Sequence, residues 1–143
     1  MNILVINGPN LNLLGTREPE IYGPETLKEL MMWLETSPKG VDHSFKFFQS
    51  NHEGEIIDAM HDERHWAKGI LINPAAFTHY SYAIRDAISA VEIPAVEVHI
   101  SDIYNREEFR KVSVISEVCV DQVYGFGKDS YLEGLQVLLK FIG

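Results

Sequence analysis

The segment over residues 5–23, VINGPNLNLLGTREPEIYG, contains side chains that could carry acid-base chemistry. Within it, Tyr22 lies five residues after Arg17. A phenol has a reference pKa of about 10 and is a weak base at neutral pH, but a guanidinium within about 4 to 6 Å would favour its phenolate form. We therefore interpret Tyr22 as a candidate base and Arg17 as its activating cation, with Glu18 able to orient the guanidinium.

A second candidate pair is Glu97 and His99, within the apolar run AVEVH. Residues two apart in a strand point to the same face, so the Glu97 carboxylate can bond one ring nitrogen of His99. The other nitrogen would then face a cleft, as a general acid requires. Ser101 and the backbone amides around Ile100 could hold a carboxylate. Arg110 either clamps a ligand or is only a solvated charge on a helical turn.

These side chains need a scaffold, and the hydrophobic pattern predicts five strands that alternate with helices. The predicted strands cover residues 3–6, 45–48, 69–73, 95–99 and 118–124. The chain is predicted to stay irregular from the first strand to about residue 24. The predicted helices then cover residues 24–37, 53–66, 82–91 and 131–142, with a short charged turn at 106–110.

Strands alternating with helices form a parallel sheet that is covered on both faces. We predict an α/β fold, a flavodoxin-like three-layer sandwich with strand order 2-1-3-4-5, in which ligands bind outside the carboxyl ends of the strands. The unusual polar residues should then follow strands. They do: Asn10 and Tyr22 follow the first strand, His52 the second, Asn73 and His79 the third, and His99 and Ser101 the fourth.

Composition limits the classes of partner. With 143 residues and 45% hydrophobic content, the chain can form one domain, which we place over residues 1–143. Its net charge of -9 argues against nucleic acid or an anionic membrane as partner, because both select a basic footprint. No apolar run approaches the roughly 20 residues of a membrane span, and the first residues show no signal peptide. We expect a cytoplasmic protein that acts on a small molecule.

The residues at these strand ends do not have the patterns of the common cofactor and metal sites. Neither GxGxxG nor GxxxxGK[ST] occurs, so no glycine-rich loop is available to hold a nucleotide phosphate. Asn10 and Asn73 stand where a magnesium site would use carboxylates. We expect no cofactor and no metal. A zinc-dependent hydrolase built on His52, His79 and His99 remains an alternative.

Five segments, in order, resemble the type II 3-dehydroquinate dehydratases, or type II dehydroquinases, over essentially the whole chain. They are INGPNLNLLGTREPEIYG, FFQSNHEGEIID, LINPAAFTHYSYAIRDAI, VEVHIS and REEFR. The resemblance implies a flavodoxin-like fold, trimers that associate into a dodecamer, and a cofactor-free anti elimination of water. That reaction converts 3-dehydroquinate to 3-dehydroshikimate through an enolate, in shikimate biosynthesis of aromatic amino acids or in quinate breakdown.

The resemblance also implies residue roles. Tyr22 matches the family's base, on a flexible loop, and Arg17 matches the arginine that favours its phenolate and helps to close the loop. Asn10 matches an asparagine that supports enolate formation through a bound water, and His99, aligned by Glu97, matches the general acid. The positions that match substrate-binding residues are Asn73, His79, Ile100, Ser101 and Arg110, together with Asp86, which the neighbouring subunit offers to the site.

Three short stretches depart from the family pattern. Asp102 follows HIS where Asn is usual, Lys111-Val112 replaces His-His, and Ala75-Ala76 replaces Gly-Ala or Gly-Gly. Asp102 would add a negative charge near the proposed carboxylate site, so we expect substrate affinity to be most affected. A function from a different class, a non-catalytic flavodoxin-like module that binds a small polyol acid, would use the same strand ends.

Overall fold

The computed structural model describes residues 1–16 and 18–143, and its strands form one parallel sheet. The strands are β1 (Asn2–Asn7), β2 (Ser44–Gln49), β3 (Gly69–Asn73), β4 (Ala95–His99) and β5 (Asp121–Tyr124). They pair in the order β2-β1-β3-β4-β5, so the predicted flavodoxin-like order is confirmed. All carboxyl ends meet at one edge of the sheet.

Helices cover both faces of the sheet. Along β1, Ile3 and Val5 pack on one side, whereas Leu4 and Ile6 pack on the other, because successive side chains of a strand alternate. Each fully buried aliphatic side chain contributes about 1.5–3 kcal/mol. The α-helices of the described chain are α1 (Pro19–Tyr22), α2 (Leu27–Thr36), α3 (Glu53–Asp62), α4 (Tyr82–Val91) and α5 (Asp129–Ile142). Helices α2 and α5 pack on the Val5 side, and α3 and α4 on the Ile6 side.

The segment after β1 is more regular than predicted. It contains a 3-10 turn at Leu11–Leu13 and the short helix α1, so the expectation of irregular chain up to residue 24 was wrong. Helix α2 begins at Leu27, three residues later than predicted, because Thr26 caps it. Thr26 Oγ1 accepts from the Glu29 backbone N–H at 3.2 Å, and Glu29 Oε1 accepts from the Thr26 N–H at 3.1 Å.

Other predicted boundaries also differ. Helix α3 ends at Asp62 rather than at residue 66, and α5 begins at Asp129 rather than at residue 131. Strand β5 is shorter than predicted, because the 3-10 turn Ser116–Val118 occupies its expected start. The charged turn predicted at residues 106–110 corresponds to a 3-10 turn at Glu108–Lys111, and a second 3-10 turn, Ile103–Asn105, precedes it. Across the described part of the chain, no helix is both long enough and apolar enough to span a membrane.

Strands β1 and β3 continue to approach each other just beyond their ends. The Gly8 N–H donates to the Asn73 carbonyl at 2.7 Å. A Cβ atom on Gly8 would lie 2.5 Å from the Pro74 carbonyl oxygen, so any side chain there would push the two segments apart. Immediately afterwards Ala75 adopts a φ of 52°, a left-handed conformation in which glycine is less strained.

We expect Gly8→Ala to lower the free energy of unfolding by about 1–3 kcal/mol, because the new methyl group meets backbone atoms that cannot rotate away. The matched control is Gly54→Ala in α3, where a Cβ atom meets nothing within 4 Å and where stability should rise by about 0.5–1 kcal/mol. Urea unfolding midpoints measure both variants. Equal midpoints for Gly8→Ala and the wild type would contradict the close approach.

Candidate active site

A cavity of about 160 Å³ opens at the carboxyl ends of the strands. Most of the predicted site residues line it, although they come from segments that are far apart in the chain. These residues are Asn10, Tyr22, Asn73, His79, His99, Ile100, Ser101 and Arg110. The same cavity is also lined by Arg106, which is not among the predicted site residues.

The remaining predicted residues lie elsewhere. Glu97 is behind His99, with none of its surface exposed. Asp86 is exposed on α4 and does not line the cavity of its own chain. Arg17 lies outside the described residues. His52 is exposed at the start of α3, away from the cavity, and residues 1–16 and 18–143 contain no cluster of three or more metal-binding His, Cys, Asp or Glu side chains.

The buried carboxylate of Glu97 is surrounded by donors. His99 Nε2 lies 2.5 Å from Glu97 Oε2, which also accepts a hydrogen bond from Thr78 Oγ1. Ser113 Oγ donates to Glu97 Oε1 at 2.9 Å. Burial raises the pKa of Glu97, but the hydrogen bond and charge of His99, followed by the Thr78 and Ser113 bonds, outweigh it and leave this pKa below its ordinary value of 4.5. Glu97 is therefore ionised at neutral pH.

An ionised Glu97 determines which ring nitrogen of His99 can meet a ligand. A carboxylate can only accept, so Nε2 must carry a hydrogen. Nδ1 is then the nitrogen left for the cavity that His99 lines. When protonated, Nδ1 can donate to a leaving oxygen, and when neutral it can accept. The hydrogen bond expected from the spacing of Glu97 and His99 is present, and the role of His99 as an acid stays a prediction.

Among the described residues, Arg106 is a cation that contacts Tyr22. Its Nη1 donates to Tyr22 Oη at 2.8 Å and approaches Ser101 Oγ at 3.3 Å. From the sequence, Arg106 is predicted only to be part of a charged turn. The sequence holds one weak indication that Arg106 belongs to the site. Arg106 lies five residues after Ser101, beyond the strand whose end carries the candidate residues His99 and Ser101.

The turn that carries Asn10 is held by the end of β2. Asn10 has a φ of 69°, a left-handed conformation that asparagine tolerates better than most residues. Its backbone N–H donates to Asn51 Oδ1 at 3.0 Å, and Gln49 Nε2 donates to the Gly8 carbonyl at 3.1 Å. Asn10 is therefore anchored to the rigid sheet, whereas Tyr22 is on a separate short helix.

The cavity favours an anion. Arg106 and Arg110 both line it, and Arg110 Nε donates to Glu107 Oε2 at 2.7 Å. Burial lowers the pKa of His79 and outweighs the hydrogen bond between Nδ1 and the Val112 carbonyl, so His79 is neutral at pH 7. Asp102, expected to add a negative charge near the carboxylate site, does not line this cavity but lines an adjoining one with Ser101 and Arg106. Its Oδ1 accepts a hydrogen bond from the Tyr104 backbone N–H at 3.0 Å.

Comparisons with known proteins show the family to which the chain is similar. A family model described as dehydroquinase class II matches residues 1–139. The 3-dehydroquinate dehydratase of Caldicellulosiruptor saccharolyticus is 56% identical over 144 residues, covering 99% of this chain and 98% of the relative. That of Halothermothrix orenii is 50% identical over 140 residues, covering 98% and 95%. The crystal structure of type II dehydroquinase from Butyrivibrio crossotus superposes with a TM-score of 0.93 and 48% identity, covering 97% of each chain.

The pH dependence of stability should report on Glu97. Because its pKa is lowered in the folded state, the ionised carboxylate contributes stability that is fully present above its ordinary pKa of 4.5 and is lost as the pH falls through the lower folded value. The difference in unfolding free energy between the wild type and Glu97→Gln should therefore shrink as the pH falls below about 4.5.

Urea unfolding between about pH 3 and pH 7 measures this difference. Glu133→Gln is the matched control, because Glu133 is an exposed carboxylate on α5. A difference for Glu97→Gln that stays constant into acid, or that grows there, would contradict the lowered pKa.

Proposed function

The chain belongs to the class II dehydroquinase family, and we propose that it is a hydro-lyase that removes water from 3-dehydroquinate to give 3-dehydroshikimate. The observation that carries this proposal is the meeting of two acid-base units in one cavity. Tyr22 with Arg106 forms one unit, and His99 with Glu97 forms the other. An elimination needs a base for the carbon-bound proton and an acid for the leaving hydroxyl, and this pair supplies both.

In the first step, the Tyr22 phenolate removes a proton from the carbon next to the substrate ketone. The electron pair of that C–H bond moves to the carbonyl oxygen and forms an enolate. The phenolate acts beside the Arg106 guanidinium, whose Nη1 donates to Tyr22 Oη at 2.8 Å, and Arg17 has the activating role that the family resemblance implies. Asn10 holds a water that donates to the developing enolate oxygen, a role assigned from the family resemblance, and such donors lower the barrier to charge development.

In the second step, the enolate collapses and the bond to the C1 hydroxyl breaks. His99 Nδ1 donates a proton to the departing oxygen, so the products are water and the conjugated enone. Glu97 stabilises the charged ring through Nε2 before the proton leaves. Positioned acids and bases each contribute typically 10² to 10⁴-fold. Tyr22, now neutral, and His99 exchange protons with solvent to restart the cycle.

The substrate is an anion, and the cavity has cationic and amide donors to hold it. The carboxylate binds to Ser101 and to the backbone amides at Ile100 and Ser101. Asn73, His79 and Arg110 bind the remaining oxygens. All of these residues line the cavity, which supports the assignment.

Assembly belongs to the same proposal. We propose cytoplasmic homo-oligomers, with trimers assembled into a dodecamer, in which Asp86 serves the cavity of a neighbouring subunit. The exposed position of Asp86 on α4, away from its own cavity, supports this arrangement.

Mixing the wild type with 3-dehydroquinate should produce the ultraviolet absorbance of the conjugated enone carboxylate. Tyr22→Phe and His99→Ala should each lower kcat by about 10² to 10⁴-fold, because each removes one proton-transfer group. The matched control is Tyr80→Phe, which removes an exposed phenol away from the cavity and should leave kcat unchanged. Circular dichroism checks that each variant is folded.

Three outcomes would contradict the proposal. No absorbance change at high wild-type concentration would favour the binding module. Loss of turnover on chelation would point to the metal-dependent alternative. A near-normal kcat for Tyr22→Phe would mean that another group is the base.

Arg106→Ala should lower kcat/KM by about 10 to 100-fold, because a hydrogen bond to a charged group contributes about 1.5–3 kcal/mol. Arg64→Ala is the control, since Arg64 is exposed and bonds only the His61 carbonyl among the contacts described. Steady-state kinetics on 3-dehydroquinate measure both variants. If Arg106→Ala stays within about twofold of the wild type, Arg106 does not serve the base.

A further inference from the structure

A phenol that the proposed mechanism does not use lies beneath the centre of the site. Tyr131, in the first turns of α5, has none of its surface exposed and packs among apolar side chains. Its Oη donates to Asn7 Oδ1 at 2.6 Å and accepts from Asn73 Nδ2 at 2.9 Å. Asn7 and Asn73 are paired in register at the ends of β1 and β3. Tyr131 thus links two central strand ends from below.

The direction of these hydrogen bonds is determined by a backbone group. The Ala75 N–H, which can only donate, lies 3.1 Å from the Asn73 side-chain oxygen. The amide of Asn73 must therefore present its NH₂ group to Tyr131. Tyr131 must in turn accept from Asn73 and give its single hydrogen to Asn7. Only one orientation of the Asn73 amide satisfies every partner.

We propose that Tyr131 is a positioning residue that, together with the Ala75 N–H, holds the Asn73 amide in one orientation for substrate binding. Asn73 lines the cavity, and one N–H of Nδ2 is used by Tyr131. The other N–H is left for a substrate oxygen. An amide free to rotate by 180° would offer an acceptor in place of that donor. The inference rests on the proposed function, because it takes Asn73 as a substrate-binding group.

Burial supports this role. It raises the pKa of Tyr131, so the phenol keeps its hydrogen throughout the working pH range. The hydrogen bond to Asn7 therefore does not reverse with pH. Buried polar groups that are all paired specify one arrangement, whereas a half-paired network leaves groups that are costly to bury.

Tyr131→Phe tests the proposal, because it keeps the ring and removes only the hydroxyl. We expect kcat/KM for 3-dehydroquinate to fall about tenfold, mainly through KM, as is typical when a group that binds ground and transition states alike is disturbed. Asn73→Ala should also lower kcat/KM. In the Asn73→Ala background, adding Tyr131→Phe should cause no further loss of kcat/KM, since the group that Tyr131 orients is gone.

A merely structural role predicts a different result, namely the same loss in both backgrounds. Ser130→Ala is the matched control: Ser130 is equally buried in α5, and its Oγ accepts one hydrogen bond, from the Phe126 N–H at 3.0 Å. That variant should lose stability but keep its kcat/KM. If Tyr131→Phe fails to fold, Asn7→Ala removes the acceptor at the other end of the link and goes through the same cycle, with the same expectation.

The outcomes distinguish a failure of the proposed function from a failure of the proposed role of Tyr131. A wild type that is inactive on 3-dehydroquinate overturns the proposed function. If the wild type is active, two results overturn the role of Tyr131 alone. In one, the Tyr131→Phe variant keeps its kcat/KM; in the other, Tyr131→Phe causes the same loss of kcat/KM in the wild-type and Asn73→Ala backgrounds. The role is also overturned if Ser130→Ala lowers kcat/KM as much as Tyr131→Phe does.

Discussion

The negative charge of Glu97, held with none of its surface exposed, is the constraint on which the candidate site depends. An ionised carboxylate away from water is costly unless several donors surround it. Here the donors come from three segments: Thr78 after β3, His99 at the end of β4, and Ser113 in the loop before β5. Satisfying one carboxylate therefore fixes three chain segments relative to one another and orients the His99 ring.

A second constraint acts at the centre of the sheet, where β1 and β3 end. Gly8 allows the two backbones to approach, and Tyr131 ties the two strand-end asparagines together from beneath. These contacts form the rigid floor of the cavity, whereas Tyr22 reaches it from a separate short helix. The site thus combines a fixed side, built by the sheet, with a side that depends on docking of α1.

Local pattern predicted the sheet well and the site in part. The bounds of β3, α4 and β4 match the prediction because Gly, Pro and Ser residues punctuate apolar runs there. Helix α3 was predicted too long, since Trp66 continues the helical period although its N–H bonds Glu63 in a turn. The sequence did not predict the contacts of Arg106 with Tyr22 and of Tyr131 with Asn73. These pairs are 84 and 58 positions apart, and no periodicity in one sequence encodes such pairs.

The distance in sequence between Tyr22 and Arg106 has a consequence for synthesis of the chain. Helix α1 has four residues, far fewer than the roughly 12–15 at which isolated helices become marginally stable, so its order comes from contacts with the body. On the ribosome, the Tyr22 phenol lacks the Arg106 guanidinium until residue 106 has emerged and the second half of the sheet has docked. The hydrogen bond between Tyr22 and Arg106 therefore forms only when most of the domain has been made, and a nascent chain that holds only the N-terminal half lacks it.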